Sequence, residues 1–297
     1  MASDNLRGIL LITAAMALFA IEDAFIKLAA TGLPVGQIIF VLGLCGAPIF
    51  GLMARAQGAR IWTRAALHPA VMLRNLGEML GTLGFVTALA ALPLGQVQAV
   101  MQSMPLVITM GAALFLGEPV GWRRWSAIAT GFIGVLIVIR PGFDGFQIDT
   151  LWMLLGAAGL SMRDLVARRI PADLTNMQVS AWGLWAVALL GAGMMAVSGG
   201  VHLPNLGQSA YLLGGVVFGT AGYWAITSAA RIGEVAVVAP FRYARLVFAI
   251  IIGLVIFAEM PDAYTLIGAG IIVTSGLYAF ARQRAVQRAL SKAKSIG

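Results

Sequence analysis

The sequence predicts an all-α, polytopic membrane protein whose ten transmembrane helices form two inverted five-helix repeats. Three observations predict this fold: a composition poor in charge, ten apolar segments of membrane-spanning length, and an internal repeat. Of the 297 residues, 60% are hydrophobic and only 11% are charged, whereas roughly a quarter of the residues in a soluble domain are charged. So little charge cannot coat a water-facing surface, which argues against a soluble protein with an unusually apolar core.

Ten segments have the length and composition of transmembrane helices. A helix needs about 20 mostly apolar residues to cross roughly 30 Å of hydrocarbon. The apolar start of the chain is expected to remain as the first helix, because no suitable cleavage site for a signal peptidase follows it. The predicted spans, numbered in chain order, cover residues 7–28, 36–54, 70–91, 95–116, 122–140, 149–168, 178–197, 209–229, 233–258 and 264–281.

The distribution of Lys and Arg predicts how the spans are oriented. If the N-terminus is cytoplasmic, 14 of the 20 Lys and Arg residues fall at cytoplasmic positions, and only Lys27 and Arg140 fall at outer ends of spans. Cytoplasmic loops of membrane proteins carry such an excess of positive charge. We therefore expect a multi-pass protein of the bacterial inner membrane with both termini cytoplasmic. The net charge of +8 follows from this bias, so no nucleic-acid partner is expected.

An internal repeat divides the chain into two halves. Three pairs of charged residues recur at an offset of 141 positions: Asp23 and Asp164, Lys27 and Arg168, Glu118 and Glu259. A G-x-x-x-G-x-x-G pattern in span 3 recurs in span 8 at an offset of 138 positions, and small residues of this kind allow helices to pack closely. We expect a first repeat at 1–141, a second at 149–282, and a basic cytoplasmic tail at 283–297.

Each repeat contains an odd number of spans, so the two halves enter the membrane in opposite orientations. Inverted repeats of this kind are found in secondary transporters, whose halves move about a site near the membrane midplane. The alternative is chance similarity between apolar helices. Several matches at related offsets argue against this alternative. The basic tail has two interpretations, binding to anionic lipid headgroups or a solvated anchor for the last span.

Polar side chains inside the predicted spans mark a candidate substrate site. A charged group at the bilayer centre costs about 2.5–3.5 kcal/mol on insertion scales, so such groups are expected to face a cavity or a partner. The alternative is a set of internal ion pairs that lock the bundle, as Arg74 and Glu78 could do from i and i+4 positions. The candidate substrate-binding residues are Glu78, Gln98, Gln102, Arg163, Tyr223, Trp224, Arg242, Tyr243 and Arg245.

A second set of charges lies at corresponding places in spans 1 and 6. In an inverted arrangement, Asp23 and Lys27 lie towards the outer face, whereas Asp164 and Arg168 lie towards the inner face. We predict that the pairs Asp23–Lys27 and Asp164–Arg168 help to form two alternating gates. Glu22, next to Asp23, is a further gate candidate.

The sequence lacks the motifs of common enzymes and cofactor sites. It contains no G-x-S-x-G, H-E-x-x-H or P-loop motif and no Cys/His cluster with metal-ligand spacing. We therefore expect no enzyme activity, cofactor or metal. An intramembrane enzyme that acts through its buried acids is the alternative function, and a channel is disfavoured because no filter-like segment is present.

The end of span 4 carries a family resemblance. Ten spans in two halves, with Pro105 and Glu118 in the stretch PLVITMGAALFLGE, resemble the EamA family of the drug/metabolite transporter superfamily, and within it bacterial amino-acid exporters of the YddG type. The second half departs from the family pattern. Leu246 stands in place of the proline, and Phe257–Ala258–Glu259 replaces the usual L-G-E.

The resemblance implies a central cavity lined by spans 1–4 and 6–9, with spans 5 and 10 standing apart. It also implies the function, since members of the family export amino acids and other metabolites. We expect a secondary transporter that exports small metabolites, amino acids in the first place, by alternating access through that cavity. Other drug-like or nucleotide-derived metabolites are the alternative substrates. Energy coupling, net direction and oligomeric state stay open, a monomer being one option.

Overall fold

The ten predicted spans are present as helices in the computed structural model, which describes residues 2–142, 146–198, 200–232 and 235–294. Within these ranges the chain consists of α-helices, two short 3-10 turns and connecting loops, so the all-α prediction is confirmed. Eight spans are long and apolar enough to cross a membrane by length and composition. The other two, spans 3 and 6, contain the charged pairs Arg74 and Glu78, and Arg163 and Asp164.

Eight spans are single helices and two are interrupted. The single helices are spans 1 (Ala2–Ala30), 2 (Val35–Ala56), 3 (Pro69–Ala91), 5 (Trp122–Ile139), 6 (Thr150–Ala167), 7 (Asn176–Ser198), 8 (Leu206–Ile232) and 10 (Ala263–Lys294). Span 4 consists of Leu94–Met101 and Met104–Phe115, and span 9 of Val235–Val238, a 3-10 turn at Ala239–Tyr243, and Ala244–Phe257. The last helix runs on to Lys294, so most of the basic segment from residue 283 continues span 10.

The interruptions of spans 4 and 9 follow from proline. Pro105 lies at the start of the second helix of span 4, and Pro240 lies in the 3-10 turn of span 9. Proline has no amide hydrogen and clashes with the preceding turn, which disfavours a continuous helix. Broken helices are tolerated at membrane depth where they are buried in protein or line a cavity. The two breaks are separated by roughly the offset of the repeat.

The helices pack in pairs that reflect the repeat. The most extensive contacts join spans 3 and 6, spans 2 and 7, spans 1 and 8, and spans 5 and 10. Spans 1–5 of the first half correspond in order to spans 6–10 of the second half. If each span is replaced by its counterpart, the same set of pairs is obtained. A pseudo-two-fold axis therefore relates the halves, and the odd number of spans in each half makes the second one inverted.

Glycine allows spans 3 and 6 to approach closely. A Cβ atom at Gly84 would lie 2.6 Å from the carbonyl oxygen of Trp152 and 2.9 Å from Cα of Gly156. Real Cβ atoms do not come this close to backbone, so the two helices pack without an intervening side chain. The glycine pattern of span 3 thus has a packing role here.

The two ends of the bundle differ in packing. We call the end where the first helix begins, at Ala2, and the last helix ends, at Lys294, the termini face. The end with the connections at 31–34, 92–93 and 258–262 is the distal face. The largest apolar cluster includes the distal ends of several spans, where Leu89, Leu92 and Leu94 are fully buried. The distal face is therefore closed.

Candidate substrate cavity

A cavity of about 970 Å³ lies between spans 1–4 and 6–10. Its lining includes Ala172 and Asn176 at the connection between spans 6 and 7, and Gln283 at the far end of span 10. Because these residues belong to the termini face, the cavity extends to that face. Span 10 contributes to the wall, although the family resemblance implied that it stands apart.

The structure brings most of the predicted site residues to this one cavity. Eleven of the fourteen candidates line it: Glu22, Glu78, Gln98, Gln102, Arg163, Asp164, Arg168, Tyr223, Arg242, Tyr243 and Arg245. Of the others, Asp23 is fully buried behind the wall and Lys27 lies at the distal face. Trp224 is 57% exposed on the outside of the bundle, because consecutive residues of an α-helix point about 100° apart. The candidate Trp224 is therefore not part of the cavity.

Asp23 is the centre of a buried polar cluster behind the cavity wall. Arg245 donates to both carboxylate oxygens of Asp23, at 2.6 Å from Nη2 and 3.1 Å from Nε. The Gln98 side-chain amide donates to Oδ2 of Asp23 at 2.7 Å. This cluster joins spans 1, 4 and 9 and compensates a carboxylate that has no contact with water.

A second cluster joins spans 3 and 6 on another side of the cavity. Glu78 pairs with Arg74 at 2.7 Å, as the i,i+4 spacing allows, and with Arg163 at 3.0 Å. Arg163 also donates to Asp164 through Nε, at 2.7 Å. The charges in this cluster therefore compensate one another, and the clusters on the two sides of the cavity lock neighbouring spans together.

Two ionisable groups of the cavity wall have no direct partner. Within the described part of the chain, neither Glu22 nor Arg242 has a hydrogen bond or an ion pair through its side chain. Gly219 makes room for Glu22, since a Cβ atom there would lie 2.7 Å from its carboxyl carbon. One unpaired acid and one unpaired base thus face the same space.

Aromatic side chains add flat apolar surface to the wall. Tyr223 stacks edge-on against Phe50 with ring centroids 4.6 Å apart, and its hydroxyl lies 3.0 Å from that of Ser180. Phe19 and Phe85 line the cavity near Arg245. Rings of this kind can contact the flat part of a substrate.

The predicted pairs Asp23–Lys27 and Asp164–Arg168 are not formed. Residues at i and i+4 share a helix face, but other groups lie closer to each of these charges. Asp23 binds Arg245 and Asp164 binds Arg163, as described above. Lys27 and Arg168 instead pair with the two glutamates that follow the ends of spans 9 and 4.

Those two glutamates were not among the predicted site residues. Lys27 pairs with Glu259 at 2.9 Å, and Arg168 pairs with Glu118 at 2.7 Å. Both pairs join one half of the chain to the other. The signal was present in the sequence, because both the cations and the glutamates are related by the offset of 141 positions.

The site has no evident place for a metal. Among the described residues there is no group of three or more His, Cys, Asp or Glu side chains arranged to hold an ion. The fold and the cavity together define the class: two inverted halves around a polar cavity form a multi-pass membrane transporter.

The chain belongs to the EamA-like transporter family, whose pattern matches residues 6–140 and 148–280. It is 27% identical to a riboflavin transporter of Vibrio cholerae, over 91% of both chains. It is 27% identical to an S-adenosylmethionine uptake transporter of Rickettsia felis, over 73% of this chain and 74% of that one. It is 25% identical to the pseudopaline exporter of Pseudomonas aeruginosa, over 90% of this chain and 94% of that one.

A solved crystal structure shares the fold. It superimposes with a TM-score of 0.59 over 96% of this chain and 99% of that chain, at 18% identity. The family and the relatives identify a bacterial transporter rather than an enzyme. The resemblance to the EamA family is confirmed, and the intramembrane enzyme is set aside.

Proposed function

We propose that this protein is a secondary transporter that moves an amphoteric metabolite, one with an anionic and a cationic group, across the bacterial inner membrane. The observation that carries the proposal is that two ionisable groups without a hydrogen-bond or ion-pair partner, Glu22 and Arg242, lie on the wall of one cavity. A charged group inside a membrane protein normally faces a partner or water. A substrate carboxylate would compensate Arg242, and a substrate amino group would compensate Glu22.

The size of the cavity bears on the substrate class. Small-molecule sites commonly enclose about 300–1,000 Å³, and the 970 Å³ here exceed what a free amino acid fills. The relatives are named for riboflavin, S-adenosylmethionine and pseudopaline. We therefore propose amino acids and larger amino-acid derivatives as substrates. The aromatic wall around Tyr223 favours a second candidate, a flat nucleotide-derived or drug-like metabolite.

The charge distribution supports an orientation of the cavity in the membrane. With both termini in the cytoplasm, as the positive-inside bias indicates, the cavity faces the cytoplasm and loads from there. In this conformation an exporter takes up its substrate and an importer releases it, so the proposal of export rests on the family resemblance. Alternating access between this conformation and an outward-facing one completes the proposed cycle.

Counterflow in liposomes tests the proposal. The purified full-length protein is reconstituted with unlabelled amino acids, S-adenosylmethionine or riboflavin inside, and entry of the labelled compound is followed. We expect saturable counterflow for an amphoteric compound. Arg242→Gln and Glu22→Gln should each reduce it about tenfold, the loss of one charge-assisted hydrogen bond.

Two variants serve as matched controls. Arg123→Gln and Asp173→Asn remove one exposed charge of each sign outside the cavity wall, and we expect unchanged counterflow. Flux that does not saturate and shows no counterflow contradicts a carrier and indicates a channel. Equal loss in the cavity variants and the controls contradicts the assigned binding residues.

A further inference from the structure

The geometry points to Glu118 and Glu259 as gate residues. We infer that each glutamate, with a cation of the opposite repeat, forms a latch that closes one face of the cavity by capping a helical hairpin. The distal latch is the pair Lys27–Glu259, and the termini latch is the pair Arg168–Glu118. The inference rests on the alternating access proposed above and assigns the residues that carry it out.

The distal latch is docked on the hairpin of spans 3 and 4. The Lys27 ammonium donates to Glu259 at 2.9 Å, to the carbonyl of Leu92, and to the carbonyl of Leu89 at 3.4 Å. An ammonium group has three hydrogen-bond donors, and each of the three has an acceptor here. Glu259 accepts in turn from the backbone amide of Leu94 at 2.7 Å, through its second oxygen.

These backbone groups are the free ends of two helices. Leu89 lies in the last turn of span 3 and Leu92 follows its end, where carbonyls lack helical partners. Leu94 begins span 4, where amides lack them. A helix C-terminus is partly negative and an N-terminus partly positive. The cation of the latch therefore caps the C-terminus, and its carboxylate caps the N-terminus.

The same backbone turn positions both glutamates. Gly117 and Ala258, which precede Glu118 and Glu259, have φ of 68° and 53°. The amide of Glu118 donates to the carbonyl of Ala112 at 3.1 Å, and that of Glu259 donates to Gly253 at 2.9 Å. All three positions in one half have counterparts 141 positions later in the other half. The two latches are thus equivalent parts of the repeat.

Their surroundings, however, differ. The side chains of Lys27 and Glu259 are 13% and 20% exposed, whereas those of Arg168 and Glu118 are 46% and 42% exposed. The equivalent helix ends on the termini face are the end of span 8 at Ile232 and the start of span 9 at Val235. Within the described chain, neither Arg168 nor Glu118 has a hydrogen bond to either of these two helix ends. The termini latch is assembled but undocked, and the cavity is open on that face.

Alternation follows from the equivalence of the latches. In the conformation open at the distal face, the Arg168–Glu118 pair docks on the helix ends of spans 8 and 9 at Ile232 and Val235. The Lys27–Glu259 pair then leaves the hairpin of spans 3 and 4 and becomes exposed. Exposed ion pairs contribute little to stability. The docked latch therefore provides the larger part of the free energy that keeps its face of the cavity closed.

Cysteine labelling of the purified full-length protein tests the latches without any substrate. The native Cys45 is first replaced by Ala. Thr109→Cys reports opening at the termini face, because Thr109 lines the cavity. Ile250→Cys, 141 positions later, reports opening at the distal face, where Ile250 lies against Gly95. The rate of reaction with a maleimide is measured for each.

The two latches should give opposite shifts. Lys27→Ala and Glu259→Ala are expected to slow labelling at residue 109 and to accelerate it at residue 250, each by about tenfold. Glu118→Ala is expected to slow labelling at residue 250 and not at residue 109. Lys27→Arg should behave as the parent. Arg140→Ala breaks a different ion pair between the halves, with Asp262 on the distal face, and should change neither rate.

A charge exchange separates capping from simple pairing. Lys27→Glu combined with Glu259→Lys restores the ion pair but presents the wrong charge to each helix end, so we expect the result of Lys27→Ala. If this double variant recovers the labelling rates of the parent, the capping role is refuted. If variants of both latches shift the labelling rates in the same direction, the alternation is refuted. Counterflow without these shifts refutes the latches and leaves the transport proposal standing. Shifts without counterflow of any tested compound refute the transport proposal alone.

Discussion

The side-chain amide of Gln102 donates a hydrogen bond of 3.4 Å to the backbone carbonyl of Tyr243, which lies 141 positions later in the chain. That separation is an offset of the internal repeat, so these two residues are equivalents from the two halves. Equivalent residues touch only where the pseudo-symmetry axis passes between them. The axis therefore crosses the protein at the breaks of spans 4 and 9, beside the cavity.

Distances between equivalent residues should not change during transport. A two-fold exchange of the halves leaves such a distance the same, whereas it alters distances between non-equivalent residues of one face. Spin labels at Thr31 and Ala172, which are 141 positions apart, are expected to give one distance with and without the Lys27→Ala substitution. Labels at Thr31 and Met260, both at the distal face, should move apart in that variant. Pulsed electron paramagnetic resonance measures both pairs, and a shift confined to the equivalent pair would contradict the exchange.

Asp23 should be important for stability as well as for transport. It is fully buried and accepts from Arg245 and Gln98. Asp23→Asn leaves the Arg245 charge without its partner, and we expect a loss of about 3 kcal/mol in the free energy of unfolding. Thermal unfolding in detergent, followed by tryptophan fluorescence, measures the loss. The double variant Asp23→Asn with Arg245→Gln should recover part of it, and a single variant as stable as the parent would refute the prediction.

The close packing of spans 3 and 6 predicts a difference between glycines. Gly84→Ala places a methyl group against the backbone of span 6, and overpacking of this kind costs about 1–3 kcal/mol. Gly193→Ala meets no atom within 4 Å and should be neutral or stabilising by up to about 1 kcal/mol, because Ala favours helix. The melting temperatures of the two variants provide the comparison. The packing argument fails if both change alike.

The turn before Glu259 predicts a stabilising substitution. Ala258 has a positive φ of 53°, a conformation that costs an L-residue other than glycine roughly 1–2 kcal/mol. Ala258→Gly removes this strain and adds some freedom to the unfolded chain, so a net gain of about 0.5–1 kcal/mol is expected. Gly117→Ala, at the equivalent position, should have the opposite effect. Thermal unfolding of both variants tests the pair, and a loss of stability in Ala258→Gly would contradict it.

The sequence predicted those features that are periodic along the chain. Span length, charge bias and repeat offsets all depend on residues near one another or at a constant separation, so ten spans, inverted halves and the family were accessible. The partners of buried charges were not. Arg245 reaches Asp23 from 222 positions away, and nothing in the local pattern favours it over Lys27.

The direction in which a side chain points was the second feature that the sequence could not predict. Tyr223 and Trp224 are neighbours in an apolar helix, and composition gives no reason to prefer one as a cavity residue. The structure turns Tyr223 inwards, where its hydroxyl meets Ser180, and leaves Trp224 on the outside. The latches were predictable in part. Their residues recur at one offset in the sequence, but which residues pair is visible only in the three-dimensional structure.

The two latches are equivalent in position but not in chemistry. One has an ammonium and an Ala in its turn, and the other has a guanidinium and a Gly. A carrier with identical halves would have two conformations of equal energy in the absence of a gradient. Every substitution that distinguishes the halves changes the relative free energies of the two conformations. Residues that do not contact the substrate can therefore determine which conformation the resting carrier favours.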